Sequence, residues 1–161
     1  MADTNFFSQG IPFFRVNEWI TQFGAYKFRD GTDKVDPWEE LRKDAPLDSN
    51  PYGGKGTDPR SVKLRNENSW KRGTFAMIGG TQMLIVRKQN AQMGTAGHDA
   101  PTGYVVEGME DVIDKLHDGY GNAVDNQVGP DQRGVYEGGM DYIRKEWPLT
   151  DYIKGCSTIN Q

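Results

Sequence analysis

The sequence is poor in the residues that build disulfide-linked or metal-bound scaffolds. It has one cysteine and two histidines among 161 residues, so neither an internal disulfide nor a Cys/His zinc site can be assembled. Cys156 lies in an apolar closing stretch, residues 152–159, with neither histidine nearby in sequence, and we expect a buried, inert thiol there rather than a nucleophile. The Gly54-Lys55 pair lacks the earlier glycine of a phosphate-binding loop, and we expect no cofactor and no metal.

The sequence also lacks long hydrophobic runs. The longest wholly apolar stretches, such as Met83–Val86, run about four residues, far short of the roughly 20 that cross a bilayer. The start, Met-Ala-Asp-Thr-Asn, has neither the basic nor the apolar region of a secretory signal. We therefore expect a soluble chain that does not span a membrane, in the cytosol or, as an already processed chain, inside an organelle. The formal net charge of -4 disfavours nonspecific binding to nucleic acid.

Glycine, in contrast, is plentiful. The 20 glycines are about 12% of the residues, against ~7% in an average protein, which indicates many tight turns and argues against a helical bundle. The length allows one domain of ordinary size, so we expect a single domain, residues 1–161, of mainly β or α+β class. Its basic segment, Lys55–Arg72, carries six basic and two acidic residues and is either a solvated loop or a docking surface for an acidic partner.

Local patterns predict an order rich in strands. Apolar runs of strand length flank Gly79-Gly80 and predict a β-hairpin, while apolar residues at i, i+3, i+4 and i+7 predict a helix over Met109–Leu116. The other predictions are a strand or bent strand pair at Ile11–Phe23, a long irregular excursion at residues 25–71 with a short helix at Pro37–Arg42, hairpin strands at Gly73–Ile78 and Thr81–Arg87, a strand at Gly103–Gly108, a short helix at Gly138–Trp147 and a final strand.

A series of short motifs points to one protein family. In chain order they are Ile11-Pro-Phe-Phe-Arg-Val16, Gln22-Phe-Gly24, Lys71-Arg-Gly-Thr74, Thr81-Gln82, Val105-Val-Glu-Gly-Met109, Lys115-Leu116 with Gly119-Tyr-Gly121, Gly129-Pro-Asp-Gln132, Asp141-Tyr-Ile-Arg-Lys-Glu-Trp-Pro148 and Asp151-Tyr-Ile153. This ordered series, which covers residues 9–159, resembles the cyclophilin-type peptidyl-prolyl cis-trans isomerases.

The resemblance implies a mainly β fold, an antiparallel barrel of eight strands with capping helices, of which Met109–Leu116 would be the second. It also implies rotation of X-Pro amides in a proline-containing peptide or protein. Arg15 matches the catalytic arginine of the family and Gln22 the glutamine that orients it. The implied substrate-binding residues are Trp19, Ile20, Gln82, Leu84, Met93 and Asp99, of which Leu84 stands where the family usually has Phe and Asp99 where a His or aromatic residue is common.

Departures from the family pattern support an alternative, a catalytically reduced structural or binding subunit of a larger assembly. The loop that would supply substrate hydrogen bonds is reduced to Gly79-Gly80, and an anionic Asp99 beside an apolar ring pocket weakens proline binding through its desolvation cost. Only ten residues precede Ile11, where the family has two strands and a helix. We therefore expect either that the natural beginning is lacking or that a neighbouring subunit covers the open barrel edge.

Overall fold

A computed structural model describes residues 7, 10–25, 70–79, 82–89, 93, 100–121 and 128–159. The predicted helix at Pro37–Arg42 and most of the basic segment lie outside the described residues. The elements, in chain order, are β1 (Ile11–Pro12), β2 (Arg15–Val16), β3 (Ile20–Phe23), β4 (Thr74–Gly79), β5 (Gln82–Val86), β6 (Ala100–Tyr104), a 3₁₀ turn (Ile113–Lys115), the helix α1 (Gln132–Glu146) and β7 (Tyr152–Ile153).

These elements make a mainly β structure, as the sequence predicts. β1 and β7 form a two-stranded antiparallel sheet, and five strands form a second sheet in the order β2-β3-β5-β4-β6. The part of the chain that the structure describes contains no closed barrel. Within that same part, no helix has the length and apolar character needed to cross a membrane.

The predicted hairpin is confirmed. β4 and β5 pair antiparallel, with Phe75 opposite Ile85 and Ala76 opposite Leu84, and a register shift falls beyond Met77. Met83, Leu84, Ile85 and Val86 are all buried, because this central strand is covered on both faces and an uninterrupted apolar run suits such a position. The hairpin therefore forms the centre of the five-stranded sheet.

The strand predicted at Gly103–Gly108 begins and ends earlier than expected. β6 pairs with β4 from Ala100 to Tyr104, and a further backbone bond runs from the Val105 N–H to the Gly73 carbonyl, at 2.9 Å. Val106 is 98% exposed and Val105 is half-buried, so only part of the apolar pair that favoured a strand is covered. The prediction of strand type is right, but its bounds are wrong.

The helix predicted over Met109–Leu116 is wrong as a regular α-helix. Only Ile113–Lys115 is helical, as a 3₁₀ turn, and the N–H groups of Ile113 and Asp114 reach back five residues, to Gly108 and Met109, at 3.0 and 2.9 Å. Apolar residues at helical spacing are largely buried, as expected, but Val112 is 57% exposed. Three of the four apolar side chains, Met109, Ile113 and Leu116, are thus buried although the backbone that carries them is not a regular helix.

The helix predicted at Gly138–Trp147 exists and is longer. α1 begins after Asp131, whose carboxylate accepts the Gly134 N–H at 2.8 Å, an N-cap that lies before the predicted start of the helix. Inside α1, Gly139 takes φ 59° and ψ -143°, which kinks the helix. The positive φ favours glycine at this position.

The prediction of a buried Cys156 is wrong. Residues 154–159 are all exposed, the thiol included. The final strand, β7, has only two residues that pair with β1, and the chain beyond it adds no further strand in the described residues. The apolar side chains of this stretch are therefore uncovered, with Ile159 85% exposed.

The chain divides into two compact units. The first contains residues 1–17, 22–28 and 116–161, and the second residues 18–21 and 29–115. The core of the first unit is formed by Phe14, Ala25, Val135 and Ile143, with Tyr136, Met140, Tyr142 and Trp147 packed against it. The core of the second unit, which we call the apolar cluster, is formed by Ile20, Trp70, Ala76, Leu84 and Val86. The prediction of a single domain stays a prediction.

Candidate functional site

Arg15 and Gln22 lie within hydrogen-bonding distance in the first unit. Arg15 Nη1 donates to Gln22 Oε1 at 3.5 Å, a long bond. Gln22 is 3% exposed, and Arg15 is half-buried. Burial fixes the glutamine amide, so its oxygen is a stationary acceptor that restrains one edge of the guanidinium. The guanidinium of arginine presents five N–H donors in a planar fork, and it can donate to a polar group that approaches its accessible side.

Four of the residues predicted to bind substrate come together in the second unit. Ile20 and Leu84 belong to the apolar cluster, and Trp19 and Met93 pack against it. Ile20 and Leu84 are 8% and 7% exposed, whereas Trp19 and Met93 are only partly buried. The accessible part of this surface is therefore made by Trp19 and Met93, and the cluster supports it from below.

Trp19 is held at the edge of the cluster by its own backbone. Its carbonyl accepts the N–H groups of Arg87 and Lys88, at 2.8 and 3.1 Å, where the chain leaves β5. The Lys88 ammonium lies 4.8 Å from the centroid of the Trp19 ring, within the range of a cation–π contact, and 3.6 Å from the Glu18 carboxylate. A lysine and a glutamate thus flank the accessible indole.

The last two predicted site residues have different positions. Gln82 opens β5 opposite Gly79, just past the register shift of the hairpin, and is half-buried. Asp99 and Gly80 lie outside the described residues.

An ion-pair network in the second unit was missed by the sequence predictions. Arg72 donates to both carboxylate oxygens of Asp114, at 3.0 and 2.6 Å, and to Glu110 at 3.2 Å. The guanidinium holds the pKa of the Asp114 carboxyl below its ordinary value, and the two carboxylates raise the pKa of Arg72. Arg87 adds a bond to the Asp114 carbonyl at 3.3 Å. Arg72 and Asp114 are 42 residues apart, and no local pattern in the sequence connects them.

A second missed network fixes the aromatic residues of the first unit. Trp147 Nε1 donates to the Tyr142 hydroxyl at 2.8 Å, and that hydroxyl donates to Asp131 Oδ2 at 3.1 Å. Burial raises the pKa of Tyr142, so its hydroxyl keeps its proton. The Tyr120 ring meets Trp147 edge to face at 5.2 Å between centroids. Part of this network has a local signal in the sequence, since Asp131 precedes the helix at an N-cap position.

Each of the two networks links residues within one unit. Arg15 with Gln22, and the surface around Trp19, are the groups with chemistry to offer. Arg15 with Gln22 supplies a restrained cation in the first unit. The surface around Trp19 supplies accessible apolar side chains in the second unit. β3 belongs to both, since Ile20 and Gln22 stand two positions apart on this strand.

Comparison with known proteins finds no family model, no curated protein and no solved structure that this chain matches.

Proposed function

We propose that the chain is a cyclophilin-like peptidyl-prolyl isomerase, in which Arg15 is the electrostatic catalyst and Gln22 orients it. The observation that carries the proposal is the Arg15–Gln22 hydrogen bond. The ordered motifs of the sequence add support. The antiparallel strands around the central hairpin are compatible with a cyclophilin-like barrel, which is part of this proposal.

The chemistry of the reaction requires no proton transfer. Rotation about an X-Pro bond breaks the conjugation of the amide, and spontaneous exchange takes tens to hundreds of seconds. In the twisted transition state the prolyl nitrogen becomes pyramidal and its lone pair is freed. A guanidinium that donates to this lone pair interacts more strongly with the twisted amide than with either planar form, and such differential binding accelerates the rotation.

In this proposal Gln22 is a positioning residue and the surface around Trp19 binds the proline ring. A stationary amide oxygen limits the conformations of the Arg15 side chain, so less entropy is lost when the transition state forms. The proline ring is apolar and binds best to a surface of apolar side chains. Trp19 and Met93, supported by the apolar cluster, provide that surface.

Nuclear magnetic resonance exchange on an Ala-Pro peptide tests the proposal directly. The parent chain should accelerate cis-trans exchange, and Arg15→Ala should reduce kcat/KM by about 10²–10³, the usual effect of removing one electrostatic contact to a transition state. Arg15→Lys should recover only part of the rate, because an ammonium cannot reproduce the planar fork of a guanidinium.

Arg133→Ala is the matched control. Arg133 also lies in the first unit, but its side chain is 85% exposed and pairs with Glu137 one helical turn away, so its loss should leave exchange unchanged. A folded parent chain that does not accelerate exchange, or a folded Arg15→Ala variant that retains the parent rate, would show that the isomerase proposal is wrong.

The alternative is a cyclophilin-like binding subunit without turnover. The observation that favours it is the exposed apolar surface at and after β6, where Tyr104 is 50% and Val106 98% exposed. Exposed apolar side chains of this kind occur at protein-protein contacts. A folded chain that binds proline peptides without accelerating their exchange would support this second function.

A further inference from the structure

The surface around Trp19 carries a charge that the isomerase proposal does not use. Lys88 lies two residues beyond the end of β5, and its ammonium lies 4.8 Å from the Trp19 ring centroid. Its own N–H donates to the Trp19 carbonyl at 3.1 Å, so backbone and side chain both keep Lys88 beside this indole. Any ligand that covers Trp19 meets the ammonium at short range.

The counter-charge beside Lys88 is weakly held. Glu18 Oε2 lies 3.6 Å from Lys88 Nζ, and both side chains are 63% exposed. A solvent-exposed pair of this kind contributes little, since water screens the charges and both side chains lose freedom. A carboxylate that arrives with a ligand can therefore replace Glu18 as the partner of Lys88.

Arg87, the basic residue next to Lys88, contacts Asp114. Arg87 directs its guanidinium to Asp114, with Nη2 3.3 Å from the Asp114 carbonyl and Nε 3.8 Å from Oδ1. Among the described residues, Lys88 is therefore the cation that contacts the accessible indole. The flexible stem of lysine allows the ammonium to move along the edge of Trp19 when an apolar ring occupies part of that surface.

We propose that Lys88 is a specificity-determining residue, which selects proline peptides that carry an acidic side chain immediately before the proline. This inference rests on the proposed binding of the proline ring at Trp19 and Met93. An apolar ring would occupy the indole while the neighbouring carboxylate pairs with Lys88. Electrostatic complementarity of this kind adds specificity more than affinity.

The test compares three short peptides that differ only in Glu, Gln or Lys before the proline. Their affinities are measured by titration against the full chain, following the indole N–H resonance of Trp19, which is assigned by its loss in Trp19→Phe. The Glu peptide should bind about two- to fivefold more tightly than the Gln peptide, the range of an exposed ion pair, and the Lys peptide more weakly than either. The preference should shrink in 0.5 M salt, where the Debye length is a few ångströms.

Three variants separate Lys88 from its surroundings. Lys88→Met keeps much of the aliphatic stem and should abolish the preference for Glu over Gln. Glu18→Gln removes the competing carboxylate and should increase that preference. The matched control is Lys71→Met, because Lys71 makes the same type of contact in the same unit, 5.1 Å from the centroid of the Tyr104 ring. It should leave the preference unchanged, since Tyr104 is not part of the surface around Trp19.

The outcomes distinguish this inference from the isomerase proposal. Equal affinity for the Glu and Gln peptides, a preference that survives in Lys88→Met, or no response of Trp19 to any peptide would overturn the role of Lys88. Exchange rates are recorded on the same samples. A Glu preference that depends on Lys88 in a chain that does not accelerate exchange supports the specificity inference and contradicts the isomerase proposal alone.

Discussion

The two compact units hold a tryptophan in different ways. In the first unit, Trp147 Nε1 donates to the Tyr142 hydroxyl, which in turn donates to Asp131. In the second unit, Trp70 is 5% exposed and its Nε1 has no acceptor within the described part of the chain. The first core is thus fixed by directional bonds as well as by packing, whereas the apolar cluster around Trp70 is held by packing. The apolar side chains of such a cluster can repack around a bound ring while the strands that carry them keep their backbone hydrogen bonds.

The largest expected effect on the free energy of unfolding comes from truncating one buried side chain in each core. Ile143 is 1% exposed and Leu84 is 7% exposed, and substitution of a buried Ile or Leu by Ala costs about 2–5 kcal/mol, depending on how far the site can collapse. We expect Ile143→Ala near the upper end of that range and Leu84→Ala near the lower end. Urea unfolding of both variants measures the difference. Val112→Ala, at a 57% exposed position, should stay within about 0.5 kcal/mol of the parent. A Leu84→Ala loss equal to that of Ile143→Ala would contradict the comparison.

A smaller effect tests the directional bonds of the first unit. Tyr142→Phe keeps the ring but leaves the Trp147 N–H without its acceptor and removes a donor from Asp131, and we expect the free energy of unfolding to fall by about 1–3 kcal/mol. Tyr104→Phe is the control, because Tyr104 is half exposed and a phenyl ring keeps its contact with Lys71. Chemical denaturation of the two variants is the measurement. A Tyr142→Phe variant as stable as the parent would show that packing alone also accounts for the first core.

The smallest effect is the pH dependence contributed by Asp114 in the second unit. Arg72 lowers the pKa of Asp114 in the folded chain, so the pair stabilises the fold above the unfolded carboxyl pKa of about 3.9, and this contribution disappears as the pH falls through the lower folded value. Asp114→Asn should cost about 0.5–1 kcal/mol at neutral pH, because the pair is partly exposed. The variant should also lose less stability than the parent below pH 4. Parallel loss in both chains, measured by thermal unfolding from pH 7 to pH 2, would contradict this role.

The sequence was most informative where one local pattern determines a structure. Two apolar runs around Gly79-Gly80 specify a hairpin, because such a turn and such strands have few alternatives. The same reasoning could not foresee the winding before Leu116, since burial there is achieved together with an ion pair to the distant Arg72. It also missed the start of α1, whose first turn contains glycine and takes its stability from the Asp131 cap and from tertiary packing.

The candidate site divides in a similar way. The motifs indicated Arg15, Gln22 and the apolar residues around Trp19, because their residue types and order resemble a known pattern. Lys88 was not indicated, since its significance depends on a ring contact and on two backbone bonds across a turn. Asp99 stays a prediction, because it lies outside the described residues.

The kink at Gly139 has a consequence for how the first unit acquires its shape. It separates α1 into residues 132–138 and 140–146, each much shorter than the roughly 12–15 residues that an isolated helix needs to be even marginally populated in water. A peptide excised from this region should consequently be a coil. The helix therefore forms only when Val135 and Ile143 pack into the core of the first unit. The segment does not fold by itself and folds cooperatively with the rest of that unit.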